Sequence, residues 1–406
     1  MTAHDLVLIP LSLMSTAFAA FWCIGCYRIR RSLRMIPTAR AGLALASEDR
    51  PLVVIVPAHD EAGSISSLIE TLRAQTHTSF RVVLALDRCT DDTEGVARRA
   101  IDADPRFEIV TIDDCPDDWA GKVHAAHTGY TASAHARDAE HLLFTDADCT
   151  FHPEALRATA ALLEQRDLDL LSLFSTLTTD SWFEHLVQPA ASFELGRWFP
   201  LNRANADAGL PKRPFANGQF MLFRGAAYRE LGGHQHPEVR AALLEDIAFA
   251  QRFGRERRRT GLMLADAIVR CRMYDNWAQF RKGWKRIYTE SANRKPARLR
   301  AAAWQLRLLA IGSLAALATL ALALTALPAL TELDVYALSV SGLALIAWTG
   351  SLRLIHRAAH APRWLIPVWP LGQWLVAGIL TDAARDLSTG VPTSWGGRSY
   401  TRQPRR

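Results

Sequence analysis

The sequence predicts an α/β domain with a mostly parallel sheet, held between membrane segments near both ends of the chain. Three observations carry this. From residue 51 onward, short β-branched runs alternate with stretches of helical periodicity. Long uncharged runs stand before and after that region. Charged residues are 22% and hydrophobic residues 49% of the 406 positions, a balance that excludes a disordered or low-complexity chain. The 47 Lys and Arg exceed the 41 Asp and Glu by six. Six cysteines in a chain of this length are too few for a disulfide scaffold. Cys23 and Cys26 make a CxxC, but it lies inside an apolar run with no partner pair, which argues against zinc.

The first apolar run is Leu6 to Tyr27, without a charge. As a helix it rises about 33 Å, enough for the hydrocarbon core. No Lys or Arg precedes it, whereas Arg28, Arg30, Arg31 and Arg34 follow it. That order predicts an uncleaved anchor with the chain from residue 28 onward in the cytoplasm. Leu308 to Leu330 and Val335 to Leu352 are two further runs, joined by a loop with Glu332 and Asp334. Basic residues flank the pair on the outer sides (Arg294, Lys295, Arg298, Arg300 and Arg307 before; Arg353, Arg357 and Arg363 after), which predicts an in-out-in hairpin. Trp364 to Leu380 is shorter and contains Pro367 and Pro370. A span there would put the C-terminal arginines outside, so it reads as a re-entrant or interfacial segment.

Between these ends the elements follow in order. Leu52 to Val56, ending at Pro57, is a strand buried on both faces. Ile65 to Thr76 has helical spacing, Arg81 to Leu86 is a second strand, and Thr93 to Ala103 a helix. Glu108 to Ile112, a helix over Gly121 to Ala136, and the strand Leu142 to Thr145 complete the alternation of a doubly wound sheet. Such sheets bind ligands beyond the carboxyl ends of their strands. Those ends read Pro57-Ala58-His59-Asp60-Glu61, then Asp87-Arg88-Cys89-Thr90-Asp91-Asp92, then Asp146-Ala147-Asp148. Converging carboxylates repel unless a cation sits among them. Oxygen-only ligands point to Mg²⁺ or Mn²⁺, bound with help from phosphates. No GxGxxG or Walker A loop is present, which counts against a dinucleotide enzyme or a P-loop NTPase.

The ordered set VVIVPAHDE, LDRCTDDT, Trp119-Ala120-Gly121-Lys122, TDADCTF, Phe215-Ala216-Asn217-Gly218-Gln219 and Glu245-Asp246 resembles glycosyltransferase family 2, in its membrane-bound, lipid-acting form, over about residues 50–290. The resemblance implies the nucleotide-diphospho-sugar transferase (GT-A) fold. It implies that Pro57, His59, Glu61, Asp87, Asp146 and Gln219 border the nucleotide sugar, with Asp87 meeting the base. Asp146 and Asp148 form the DxD, Asp148 meeting the metal more directly, and Asp246 matches the catalytic base. Departures are His59 where Asn is common, and Leu86 where a second Asp is common. In place of the family's Q-x-x-R-W stands Gln279-Phe280-Arg281-Lys282-Gly283-Trp284, so Gln279, Arg281 and Trp284 are candidates, with Glu245, for the acceptor or diphosphate.

The chemistry asks for these residue types. A divalent cation stabilises a departing diphosphate, a carboxylate takes the acceptor's proton, and Lys122 neutralises diphosphate charge. A helix over Asp246 to Glu256 would favour the ionised form of Asp246 through its dipole. Plainer roles stay open: a solvated Lys122, a capping Glu245-Asp246 pair, a structural His59, and turn or cap duty for Asp91 and Asp92. In Ala278 to Tyr288, Phe280, Trp284, Ile287 and Tyr288 form an apolar stripe beside Arg281, Lys282, Lys285 and Arg286, a basic amphipathic helix suited to a lipid surface. Aromatic residues from Trp182 to Phe199 suggest a second lipid contact or, equally, core.

The expected organisation is an anchor over residues 1–28, a basic linker over 29–50, the catalytic domain over 51–275, the interfacial helix over 276–303, membrane helices over 304–382 and a basic tail over 383–406. The expected function is transfer of a sugar from a nucleotide-diphosphate donor to a lipid in the cell membrane, with inversion implied by the resemblance and the catalytic domain cytoplasmic. Expected partners are donor, lipid and membrane, not nucleic acid. The alternatives are a processive polysaccharide synthase and a non-catalytic sugar-nucleotide sensor.

Overall fold

A computed structural model of the chain describes every residue except 1, 47, 200–202, 206–213, 396–397 and 406. The strands used below are β1 (Leu52–Ala58), β2 (Phe80–Asp87), β3 (Phe107–Ile112), β4 (His141–Thr145), β5 (Cys149–Phe151), β6 (Leu170–Phe174), β7 (Thr176–Leu177), β8 (Phe220–Arg224), β9 (Thr260–Leu264) and β10 (Val269–Cys271). The main sheet runs β3-β2-β1-β4-β8-β6-β9, with β8 antiparallel to both neighbours and the other pairings parallel. A smaller sheet, β5-β10-β7, sits beside the end of β4.

The helices are α1 (Ala3–Met35), α2 (Ile65–Arg73), α3 (Thr93–Ile101), α4 (Gly121–Ala132), α5 (Ala134–Asp138), α6 (Ala155–Gln165), α7 (Trp182–Leu186), α8 (Gln188–Trp198), α9 (Gly225–Glu230), α10 (Pro237–Arg240), α11 (Glu245–Arg255), α12 (Trp277–Ser291), α13 (Pro296–Thr325), α14 (Glu332–Ala358) and α15 (Trp369–Thr389).

The predicted alternation is present, with shifted ends. β1 includes Pro57 because β4 pairs with β1 only as far as Ile55, so the missing N–H of Pro57 faces no partner strand. α2 stops at Arg73, short of Thr76, because Thr76 N–H donates to Pro153 O at 2.8 Å and the Gln75 amide donates to His152 O at 2.8 Å. The helix expected over 121–136 breaks at Ser133, whose backbone is extended. The anchor helix runs on to Met35, so much of the basic linker is helical. Beyond it, Leu264 N–H donates to Pro37 O at 3.0 Å, fastening the linker to the edge of β9.

α1, α13, α14 and the segment Arg363–Thr389 are long and apolar enough to cross a membrane. α1, α13 and α14 share polar contacts in their apolar stretches: Ser15 Oγ lies 2.8 Å from Thr319 Oγ1, and Thr16 Oγ1 lies 2.7 Å from the Tyr336 hydroxyl. Pro367 and Pro370 do not break α15; Pro367 lies in a 3₁₀ turn and Pro370 in the first helical turn, where no N–H is needed.

The interfacial helix differs from expectation. Phe280, Trp284 and Tyr288 of α12 are at most 2% exposed. Their stripe packs in one core with α1, α8, α13 and α15 rather than on lipid. Arg281 pairs with Asp382 and Lys285 with Asp386, both at 2.5 Å, so these cations are matched within the protein. Within Trp182 to Phe199, Phe183 is core while Trp182 is 53% exposed.

Candidate active site

β1, β2 and β4 end on the same side of the sheet, and the crevice beyond them holds a cavity of about 330 Å³. Pro57, His59, Glu61, Asp87, Lys122, Asp146, Asp148, Gln219, Glu245, Asp246 and Trp284 all line it. Gln279 and Arg281 do not. The Gln279 side chain accepts from Asp275 N–H at 3.0 Å at the start of α12, and Arg281 is committed to Asp382.

Lys122 joins the two halves of the site. α4 starts at Gly121, which carries the Lys122 ammonium inward to lie 2.6 Å from Asp146 Oδ1 and 2.8 Å from Glu245 Oε1. Burial alone would lower its pKa, but Asp146 and Glu245 together hold it above the ordinary value. The solvated-lysine reading is thereby excluded. Gly218 lies against this ion pair: a Cβ there would stand 2.9 Å from Lys122 Nζ and 3.1 Å from Glu245 Oε1, so a larger residue would displace their charged ends. Its N–H donates to Asp246 Oδ2 at 2.9 Å.

Asp246 lies in the first turn of α11, where its Oδ1 accepts from Ile247 N–H at 2.7 Å. The expected gain in ionisation from the helix dipole is outweighed. Burial, reinforced by neighbouring Glu245, pushes the Asp246 carboxyl up to about 7. Burial likewise pushes Asp148 up to about 8, with Asp146 and Glu61 facing it. Burial raises Asp146 too, against the pull of Lys122. Glu61 is raised by burial while accepting from Ser64 Oγ at 2.5 Å.

At the other end, Asp87 is 2% exposed and Arg88 grips both its oxygens, at 2.8 and 2.6 Å. His59 Nδ1 stands 2.6 Å from Asp87 O. A carbonyl only accepts, so Nδ1 carries the proton. Asp91 caps α3 through Thr93 N–H at 3.0 Å, and Asp92 pairs with Arg99 at 2.7 Å, as turn residues do. Trp119 lies outside the lining and stacks on His127.

Among the lining residues that pattern reading did not assign to the site are Ser192, Leu195, Tyr274 and Arg286. Arg286 sits off the apolar stripe of α12, where periodicity assigns a solvated face; its Nη1 donates to Leu243 O at 3.2 Å. Ser192 and Leu195 come from α8, which had no chemical signature.

Residues 53–232 match the profile described as glycosyl transferase family 2. The chain therefore carries a domain of that family with the GT-A fold, and the protein is an enzyme, a glycosyltransferase. Similar solved structures include a mannosyltransferase, PcManGT from Pyrobaculum calidifontis, in complex with GDP-Man and Mn²⁺ (17% identity, covering 94% of this chain and 98% of that chain, TM-score 0.49). Others are TarS 1-349 of S. aureus with UDP (14%, 87% and 96%, TM-score 0.38) and the M. tuberculosis glucosyl-3-phosphoglycerate synthase (18%, 59% and 74%, TM-score 0.35). No curated protein matches the chain.

Proposed function

We propose that the protein transfers a single sugar from a nucleotide-diphosphate donor to the hydroxyl or carboxyl of a membrane lipid, with inversion. One observation carries this reading: a single cavity runs from the strand-end carboxylates to side chains of α8 and α12, the helices that pack on the membrane helices. Leu195, Trp284 and Ile287 of those helices, with Phe174, Phe215 and Ile247 elsewhere in the lining, give the cavity apolar surface, as a lipid acceptor requires.

The carboxylate set fits a hard divalent cation. Asp146 and Asp148 line the same crevice, Asp146 disfavours the charge on Asp148, and the crevice lysine is already shared between Asp146 and Glu245. Those two aspartates would hold Mg²⁺ or Mn²⁺, which supplies charge neutralisation for the leaving diphosphate. The protein's own residues do the rest. Lys122 fixes Asp146 relative to Glu245. Asp246, held by Gly218 N–H and Ile247 N–H, takes the acceptor hydroxyl's proton. The apolar wall excludes water, which would otherwise compete as acceptor.

In this reading the catalytic domain is cytoplasmic and α15 lies along the membrane surface rather than crossing. Both of its ends touch the catalytic side: Trp369 packs on Phe193, and Asp382 and Asp386 pair with α12. The tail beyond returns there too, with the Tyr400 hydroxyl 3.2 Å from Gly121 N and Arg405 Nη1 2.7 Å from Asn293 Oδ1. Trp364 and Trp374 are 75% and 49% exposed beside the exposed Leu371, a face suited to the headgroup level. A Ser399→Cys variant is expected to resist an impermeant thiol reagent in intact cells and to react after permeabilisation. Labelling of intact cells above the wild-type level would overturn this topology.

The functional test is mass spectrometry of lipid extracts from cells with and without the protein. A lipid gaining one sugar mass with wild type, and not with Asp246→Asn, is expected. Extended chains would favour a processive synthase.

A further inference from the structure

We propose that Cys149, Cys271 and Asp148 form a second cation site on the inner wall of the crevice, one for a soft, thiophilic divalent ion of the Zn²⁺ or Cd²⁺ class. β5 and β10 are antiparallel and place Cys149 directly opposite Cys271. Arg272 N–H donates to Asp148 O at 3.0 Å, so Asp148 and Arg272 form the hydrogen-bonded pair. The cysteines are therefore the adjacent non-hydrogen-bonded pair, where opposing Cα atoms are about 4.5 Å apart and side chains come closest. One ligand atom from each of the three residues lies within 4.8 Å of the others. A tetrahedral ion with ordinary zinc bond lengths needs its S and O ligands about 3.5–3.8 Å apart, a contraction that small side-chain rotations supply. Cys149 Sγ is already 3.8 Å from Asp148 Oδ1.

Both thiols are buried, but Asp148 lines the cavity, so the ion enters from the crevice. Two sulfurs and one carboxylate leave a fourth position for water. Binding exchanges two S–H bonds for two metal–sulfur bonds and releases two protons, with no oxidation or reduction. Mg²⁺ prefers all-oxygen ligands and does not compete for the sulfurs. Occupancy takes Asp148 from the hard-cation site, so the ion inhibits transfer. That inhibition rests on the function proposed above; the binding does not.

The test uses the full chain, reduced, in detergent micelles. Cd²⁺ is titrated while the ultraviolet thiolate-to-cadmium charge-transfer band is followed. Wild type is expected to saturate at one equivalent, and Cys149→Ser and Cys271→Ser each to lose at least half the band. Replacing both Cys23 and Cys26 with Ser is expected to leave it intact. On wild type alone, Zn²⁺ should displace the band and a large excess of Mg²⁺ should not, which decides the matter if the serine variants fail to fold. Equal bands in wild type and Cys271→Ser, no band, or removal by Mg²⁺ would overturn the site. A band without loss of Mn²⁺-supported transfer would keep the site and refute the sharing of Asp148.

Discussion

The crevice and the seam between α12 and α15 are built from the same side-chain types and treat charge in opposite ways. In the crevice, Glu61, Asp87, Asp146, Asp148, Glu245 and Asp246 line one cavity with Lys122 and Arg286 as its fixed cations. Burial drives several of those carboxyls up toward neutrality. At the seam, near the surface, Arg281 meets Asp382 and Lys285 meets Asp386, and Arg385 reaches both aspartates, so every anion there has a cation beside it. The first arrangement costs folding free energy and persists because ligands complete it. The second is closed within the protein and asks for nothing further. Buried carboxylates in excess of their cations, more than charge itself, separate the site from the seam.

That contrast is sharpest at Asp148. Asp148→Asn removes a carboxylate that has no ion-pair partner among the described residues, and turnover should fall on the order of 10³-fold or more, because metal stabilisation of the leaving group is worth several kcal/mol. Mn²⁺ should raise the thermal midpoint of wild type and not of the variant. Full, metal-dependent turnover in Asp148→Asn would show that the DxD carries no cation.

Asp246→Asn comes next, with an expected loss of roughly 10²–10⁴-fold in kcat and nearly unchanged donor affinity, since a base acts in the transition state. The pH dependence follows from its raised carboxyl, which Glu245 pushes up and Lys122 pulls down. A base must be ionised, so wild-type turnover should climb about tenfold per pH unit below about 7 and level off above it. Stability runs the other way. A raised carboxyl stabilises the fold below its unfolded value of 3.8, and that contribution is lost as pH rises through about 7. The Asn variant should therefore gain in relative thermal stability from pH 5 to pH 8. Near-normal turnover in it would shift the base to Glu245.

The elements that form the crevice floor were legible because β1, β2 and β4 are covered on both faces and read as unbroken apolar runs. Their ends carry the chemistry, so the carboxylates could be read with them. The ionisation of Asp246 was not legible: a helix dipole is worth at most about 2 kcal/mol and is overridden by burial, which depends on what packs above the residue. The β5-β10-β7 sheet, with strands of two or three residues, is below what periodicity can resolve. The partners of Arg281 and Lys285 lie about a hundred residues along the chain, beyond any local pattern. A basic stripe has the same appearance in sequence whether it meets lipid or an acidic helix.

The seam supplies the smallest expected effect. Lys285 and Asp386 are 33% and 22% exposed, so water screens their attraction and each side chain loses rotamer entropy to hold the contact. A double-mutant cycle with Lys285→Ala and Asp386→Ala should give a coupling of roughly 0.2–1 kcal/mol, falling as salt is raised. Turnover should stay within about threefold of wild type in each single variant, because neither residue lines the cavity. If Lys285 instead met anionic lipid, Lys285→Ala would weaken binding to anionic vesicles by about 1 kcal/mol, Asp386→Ala would strengthen it, and the cycle would show no coupling. Coupling in stability without any change in vesicle binding is the outcome that marks a closed seam. The reverse pattern would return α12 to the lipid surface and make its charge, like that of the crevice, one that waits for a partner.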